Sequence, residues 1–151
     1  MNAADIHAAI MRDIFRPGAW VYLREFRAGT GWGANANRYL DAWAIQPWPS
    51  SGMGIVGIEI KTSRPDWMRE LKGPMKRDPA LRISNQFYFA APHCMLVESE
   101  IPTECGLIEV WADGTAHITA EAPWRECLPT WPFVASLARR VAELTAHVTA
   151  P

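Results

Sequence analysis

The sequence predicts a single α/β domain in which a mixed β-sheet is flanked by helices. Its 151 residues suit one domain with a core of its own. Segments with strand periodicity alternate with segments of helical periodicity, and a strand, helix and strand in mid-chain predict a right-handed parallel crossover. The expected order is therefore α-β-β-β-α-β, followed by a C-terminal β-hairpin and a closing helix.

The first half of the chain is predicted to contain one helix and three strands. The helix covers residues 3–15, because isoleucines recur there at helical spacing, and a Pro-Gly pair ends it. The strands cover residues 20–26, 38–45 and 55–62. A Gly/Asn-rich connection separates the first two, while a Pro/Ser/Gly turn makes the second and third antiparallel neighbours.

The second half is predicted to contain the crossover, the hairpin and the closing helix. A helix over residues 64–71 begins with Ser63 as its N-cap and Pro65 in its first turn. The apolar strand over residues 87–91 follows it, parallel to the third strand. An Asp-Gly pair joins the strands of the hairpin, residues 107–111 and 116–119. The last helix, residues 131–148, carries an apolar stripe.

The third strand places two opposite charges on one face. Its β-branched residues at positions 56, 58 and 60 share one face, whereas Glu59 and Lys61 share the other. Burying such charges without partners is costly, so a compensating charge, metal or substrate is expected beside them. Asp41 on the preceding strand is expected to approach Glu59 across the turn. Asp41, Glu59 and Lys61 therefore form a candidate active site.

These residue types suit metal-assisted phosphodiester hydrolysis. Mg²⁺ binds oxygen ligands and keeps several waters, so Asp41, Glu59 and the Ile60 backbone carbonyl are sufficient protein ligands. Lys61 is placed to orient the attacking water or to neutralise developing negative charge. The alternative is structural: Lys61 forms a salt bridge with Glu59 or Asp41, and the spacing alone does not decide between the two.

A longer pattern resembles a known nuclease group. The strand order, with Asp on the second strand and Glu-x-Lys on the third, resembles the PD-(D/E)xK nuclease superfamily, although Leu40 stands where its name places proline. Over residues 23–114 the chain is similar to the MmcB-like DNA-repair proteins. The segments that carry this similarity are Arg38-Tyr39-Leu40-Asp41, Gly57-Ile58-Glu59-Ile60-Lys61-Thr62-Ser63-Arg64-Pro65-Asp66-Trp67 and Gln86-Phe87-Tyr88-Phe89-Ala90-Ala91-Pro92.

The resemblance implies a restriction-endonuclease-like core and a deoxyribonuclease that requires Mg²⁺ or Mn²⁺. It assigns metal binding to Asp41 and Glu59 and the catalytic lysine to Lys61. Glu25 falls where related sequences often carry an acid, so it is either a further metal or water ligand or a partner for an arginine. Gln86 matches a polar position that sometimes lies beside the site. The implied setting is DNA repair, recombination or phage DNA metabolism.

The charge distribution is consistent with DNA as the partner. The overall charge is −1, but residues 1–82 contain 12 Lys/Arg against 8 Asp/Glu, and the remainder contains 3 against 8. A solvated helix face would explain the same excess. The competing hypothesis is a non-catalytic module that binds DNA or a protein partner. The candidate DNA contacts are Arg38, Arg64, Arg69, Lys72 and Lys76.

The remaining features set expectations about environment and assembly. Three widely spaced cysteines without a CxxC pair indicate neither a disulfide framework nor a zinc knuckle. No apolar run approaches the ~18 residues of a membrane span, and no signal peptide is evident, so we expect a cytoplasmic protein with no membrane partner. A homodimer is plausible for a small domain that works on duplex DNA.

The tryptophans divide into two groups by their predicted positions. Trp32, Trp48 and Trp67 lie in or beside loops, where they either pack against the domain or stack on unpaired bases. Trp43 and Trp111 lie on strands and are expected in the core.

Overall fold

The computed structural model describes residues 1–27, 39–73 and 77–149. Within these ranges six strands form one mixed sheet, and helices cover both of its faces. None of the helices in these ranges combines the length and apolar character that a membrane span requires. The elements are α1 (Ala3–Asp13), β1 (Val21–Arg27), β2 (Tyr39–Ile45), β3 (Ile55–Ile60), α2 (Arg64–Lys72), α3 (Asp78–Leu81), β4 (Gln86–Pro92), β5 (Gly106–Val110), β6 (Ala116–Ala120) and α4 (Trp131–Thr149).

The strands lie side by side in chain order from β1 to β6. β1 pairs antiparallel with β2, and β2 pairs antiparallel with β3. The connection between β2 and β3 is short and reverses the chain. The crossover through α2 and α3 makes β4 parallel to β3, and β5 is parallel to β4. β6 returns antiparallel to β5 as a hairpin. The predicted order of elements is confirmed, and α3 is an additional short helix.

The two faces of the sheet bury separate apolar clusters. On one face, Ile6 and Ile10 of α1 pack with alternate residues of the central strands and are fully buried. On the other face, Trp67 of α2 and Phe133 of α4 pack with the opposite set of strand residues. Because successive strand residues point to opposite faces, β3 contributes to both clusters. The charged end of β3 lies on the face that α2 covers.

The helix ends differ from the sequence prediction. Ser63 has the extended backbone of an N-cap residue, but its side chain makes no capping hydrogen bond. Side-chain caps form at α1, where Asn2 and Asp5 bond reciprocally in a capping box, and at α4, where Thr130 Oγ1 accepts a hydrogen bond from the Phe133 N–H. The apolar stripe predicted on α4 is only partly covered: Phe133 is buried, whereas Leu144 is 42% exposed. Helical periodicity predicts where these helices lie, but it does not predict which side chains form hydrogen bonds with the backbone groups at their ends.

The observed burial of the tryptophans agrees with the prediction for Trp43 and contradicts it for Trp111. Trp43 and Trp67 are fully buried, so packing accounts for both. Trp111 was expected in the core but is 42% exposed, and its ring stacks on His93. Trp48 is exposed and precedes the 3₁₀ turn between β2 and β3, at the end of β3 opposite Glu59. Trp32 lies outside the described residues.

Candidate active site

The candidate site lies where β3 ends beneath α2. Lys61 directly follows the strand and is only 4% exposed. Its Nζ lies 3.1 Å from Glu59 Oε1 and 3.2 Å from Glu70 Oε2, and it donates hydrogen bonds to both. Asp66 Oδ2 is 3.6 Å from the same nitrogen. A single buried ammonium group is therefore surrounded by three carboxylates, one from β3 and two from α2.

Asp41 joins this cluster from the neighbouring strand β2. The antiparallel register pairs Ala42 with Ile58, which places Asp41 and Glu59 as the next residues across the pair. Asp41 Oδ2 accepts a hydrogen bond of 2.7 Å from the backbone N–H of Ile60. This bond fixes the carboxylate of Asp41 beside Glu59. The structure thus brings together the three residues Asp41, Glu59 and Lys61, as the sequence predicted.

Burial and nearby negative charges raise the pKa values of the two carboxyl groups. Burial and, after it, the charge of Asp41 raise the pKa of Glu59 to about 7, although Lys61 acts in the opposite direction. Burial also raises the pKa of Asp41, against the lowering effect of the Ile60 N–H and of Lys61. The charge of Asp41 makes Glu59 harder to ionise, and burial opposes the ionisation of both, so the pair favours a bound cation or proton.

Lys61 keeps its charge in spite of its burial. Desolvation acts to lower the pKa of its ammonium group, but the charges of Glu59 and Glu70 outweigh that effect, and the pKa is raised above its ordinary value. An ammonium group has three hydrogen-bond donors and no acceptor. Lys61 is therefore a fixed positive charge with donors directed at the carboxylates of the site.

Further ion pairs attach α2 and α3 to the site. Arg77 is 8% exposed, and its Nη1 lies 3.9 Å from Glu70 Oε1. Its Nε and Nη2 both donate to Glu104 Oε1, at 3.1 and 2.8 Å. Arg64 forms a bidentate pair with Glu100, whose Oε2 also accepts a 3.1 Å hydrogen bond from Trp67 Nε1. These contacts fix the position of the helix that carries Glu70.

The two predicted accessory residues are placed differently. Glu25 lies on β1 between Arg24 and Phe26, which pair with Ala42 and Leu40, so it is opposite Asp41. It is exposed, its φ is +50°, and its charge contributes to the raised pKa of Asp41. A non-glycine residue rarely adopts this left-handed backbone conformation inside a strand. The structure therefore places Glu25 near the carboxylate pair, at the edge of the sheet.

Gln86 does not lie beside the carboxylates, contrary to the sequence prediction. It pairs with Val56 at the start of β4, three residues from the pair that Glu59 forms with Phe89. Its amide donates to the Tyr88 hydroxyl at 3.2 Å and to a backbone carbonyl at 2.9 Å. At about 3.3 Å per strand residue, Gln86 is about 10 Å away from Glu59 along the strand. It also points to the opposite face of the sheet.

The candidate DNA contacts are only partly described. Arg64 is occupied by Glu100 and by the backbone carbonyl of Met95, so it anchors the chain after β4 to α2. Arg69 is largely exposed and pairs with Asp66 at 3.2 Å. Lys72 is exposed at the end of α2. Arg38 and Lys76 lie outside the described residues.

The carboxylate pair fits one type of metal ion better than others. Within residues 1–27, 39–73 and 77–149, no group of three or more His, Cys, Asp or Glu side chains is arranged to hold a metal ion. Two carboxylates and a backbone carbonyl suit a hard cation that keeps several of its waters, as Mg²⁺ does. Burial, and after it nearby negative charges, raise the pKa values of Asp41 and Glu59, and a bound cation would offset both effects.

The sequence analysis missed Glu70 and Arg77. The available signal was the spacing of Asp66 and Glu70, which are four residues apart and therefore share one face of a helix that starts three residues after Lys61. The position of Arg77 carries no local signal, because it follows a Gly-Pro pair and lies beyond the helix predicted to carry Glu70. Partners of this kind depend on tertiary packing.

The fold and the site together define an α/β protein with a cluster of buried charges at the end of a central strand. No family model matches the chain, and no curated protein matches it. Its fold is similar to that of a solved structure, the SPO1766 protein of unknown function from Silicibacter pomeroyi. The two share 23% sequence identity with a TM-score of 0.65, and the match covers 97% of this chain and 92% of that one.

Proposed function

We propose that this protein is a Mg²⁺- or Mn²⁺-dependent nuclease that hydrolyses phosphodiester bonds in DNA, in repair, recombination or phage DNA metabolism. One observation carries the proposal: the buried ammonium of Lys61 contacts Glu59 at 3.1 Å, while Asp41 is held next to Glu59 by its bond to the Ile60 N–H. The α-β-β-β-α-β order and the resemblance of the sequence to PD-(D/E)xK nucleases support the same conclusion.

Each site residue has a distinct role in this proposal. Asp41 and Glu59, with the Ile60 carbonyl, hold the cation, which when bound polarises the phosphoryl group and lowers the pKa of water. Lys61 donates hydrogen bonds to a phosphoryl oxygen and offsets the negative charge that develops there. The hydrogen bond from Ile60 N–H keeps Asp41 in place. The exposed Arg69 and Lys72 contact the DNA backbone.

The test is cleavage of labelled single-stranded, duplex, flap and four-way-junction DNA, and of RNA, with Mg²⁺, Mn²⁺ or EDTA. Asp41→Asn and Lys61→Ala are assayed beside the wild type, with Asp113→Asn in the β5–β6 turn as the matched control. We expect metal-dependent cleavage by the wild type and the control. We expect both site variants to lose at least about 100-fold in rate. Cleavage that survives in the site variants would refute the proposal.

A second candidate is a module that binds DNA or a protein partner without catalysis. The observation that favours it is the pairing of Lys61 with three carboxylates, which a purely structural ion-pair cluster would also show. Thermal unfolding with Mn²⁺ separates the two candidates. A nuclease site raises the melting temperature by about 2–6 °C at saturating Mn²⁺, and Asp41→Asn abolishes the rise. A binding module shows DNA binding with neither cleavage nor this rise.

A homodimer stays a prediction.

A further inference from the structure

We propose that Glu70 is the positioning residue for Lys61 and that it holds the ammonium group at the site while Glu59 binds the cation. The inference rests on the proposed nuclease function, and it adds a residue that the motif Asp…Glu-x-Lys does not contain. Glu70 lies on α2, nine residues after Lys61, and its Oε2 is 3.2 Å from Lys61 Nζ.

The three carboxylates around Lys61 are not equivalent. Glu59 has a second task as a cation ligand, and its side chain is 24% exposed. Asp66 is 40% exposed, lies farther away at 3.6 Å, and is shared with the exposed Arg69. Glu70 is only 11% exposed and is directed at Lys61 from the body of the helix. It is therefore the carboxylate that can remain on Lys61 throughout a reaction cycle.

A second cation lies behind Glu70, at ion-pair distance but without a hydrogen bond. Arg77 Nη1 lies 3.9 Å from Glu70 Oε1, and Arg77 in turn makes two hydrogen bonds to Glu104. Charges thus alternate along Lys61, Glu70, Arg77 and Glu104, and Glu70 lies between two cations. Such an arrangement limits the rotamers of the Glu70 side chain. Glu70 offers Lys61 a fixed partner.

This arrangement has a consequence for the reacting groups. If Glu59 turns its oxygens to a cation, Lys61 loses one partner, and a buried ammonium with too few partners is costly. Glu70 continues to accept one N–H and leaves the other donors of the ammonium group for a phosphoryl oxygen. Removing Glu70 therefore displaces Lys61 Nζ without touching the substrate or the cation ligands.

The activity test compares Glu70→Gln and Glu70→Asp with Glu98→Gln, which removes an exposed glutamate beyond β4. We expect Glu70→Gln to lower kcat about 10–100-fold with KM unchanged within about twofold, because the catalytic group is misplaced while substrate contacts remain. Glu70→Asp keeps the charge and restores part of the rate. Lys61→Ala/Glu70→Gln is expected to be no slower than Lys61→Ala alone. Full kcat in Glu70→Gln, or an additive double variant, would overturn the proposal.

A readout that needs no activity separates this inference from the nuclease proposal. Acetylation of Lys61 by acetic anhydride is followed by mass spectrometry, with the exposed Lys72 as the internal reference. We expect Lys61 to react at least about fivefold faster, relative to Lys72, in Glu70→Gln than in the wild type or Glu98→Gln. Lys61 then loses its least exposed carboxylate partner and keeps only Glu59 and the more distant Asp66, so its neutral, reactive amine forms and becomes accessible more often. If no substrate is cut but this change is seen, the nuclease proposal fails and the positioning by Glu70 stands. An unchanged ratio in folded Glu70→Gln overturns it.

Discussion

The strand β3 and the Lys61 that follows it have an apolar face and a charged face, and the two faces are stabilised in different ways. Towards α1, Val56, Ile58 and Ile60 are 1%, 0% and 7% exposed and belong to one apolar cluster. Towards α2, Glu59 and Lys61 meet Asp41, Asp66 and Glu70. The first face is stabilised by the removal of apolar surface from water. The second face depends on matching each charge with a partner.

The difference between the two faces is confined to the end of β3 that carries Glu59. Gly57 lies on the same face as Glu59, but a Cβ added there would meet the side chains of Leu40 and Phe87 at 3.0 Å. The α2 face is therefore apolar at the start of β3 and charged where β3 ends. Charges at a strand end are close to solvent and to the first turn of the next helix, so both partners and ligands can reach them. This placement distinguishes a site from a core.

The largest change in the free energy of unfolding is expected on the apolar face of β3. Ile58→Ala removes a fully buried side chain from the centre of the sheet, and we expect the free energy of unfolding to fall by about 3 kcal/mol, since truncation leaves a cavity. Urea unfolding of the two proteins measures the change. Ile118→Ala on β6, where the side chain is 37% exposed, is the matched control and should cost under about 1 kcal/mol. Equal losses at both positions would mean that the two strands are buried alike.

The apolar face was also the part that the sequence could predict. Alternation placed residues 56, 58 and 60 on one face, and the connections before and after β3 predicted its antiparallel and parallel neighbours, because these signals are local. For the charged face, the sequence predicted that Asp41 would approach Glu59. It gave Lys61 a partner in Glu59 or Asp41, whereas the structure adds Glu70 and Asp66.

The remaining differences concern groups that are distant in sequence. Arg64 was assigned to DNA but pairs with Glu100, which lies beyond β4. Gln86 was placed beside the site, but β4 directs it to the other face, where it donates a hydrogen bond to the distant Ala122 carbonyl. Both residues find partners that only the packed sheet brings near. Periodicity determines which face a residue occupies, but it does not determine which charge meets which.

An intermediate change in the free energy of unfolding is expected when the charge of Glu59 is removed. Its pKa is about 7 in the folded protein against an ordinary 4.5, so the folded state binds more protons than the unfolded state between these values, and stability falls as the pH rises from about 4.5 through 7. Glu59→Gln removes this dependence. We expect the variant to gain on the order of 2 kcal/mol over the wild type at pH 8.

The measurement for Glu59 is urea unfolding at several pH values between 4.5 and 8. The advantage of Glu59→Gln should grow with pH and vanish at the acid end of the range, where the wild-type carboxyl group is protonated. Glu98→Gln, which changes an exposed glutamate, serves as the control and should follow the wild type at every pH. A constant offset between Glu59→Gln and the wild type would show that the carboxyl group titrates normally, and the comparison of the two faces would then lose its electrostatic part.

The smallest change in the free energy of unfolding is expected at Gly57, where the face of β3 towards α2 is still apolar. In Gly57→Ala the new methyl group lies 3.0 Å from Leu40 Cδ1 and from Phe87 Cδ2, and Phe87 is 1% exposed, so the ring has little room to move. Overpacking of this kind costs more than the entropy that alanine saves in the unfolded chain, and we expect a net loss of about 1 kcal/mol. Gly54→Ala is the matched control, because its methyl group would meet Trp124, which is 51% exposed and can move aside. If Gly57→Ala is instead as stable as Gly54→Ala, the packing on the α2 face is loose up to Glu59, and burial by that packing cannot explain the raised pKa of Glu59.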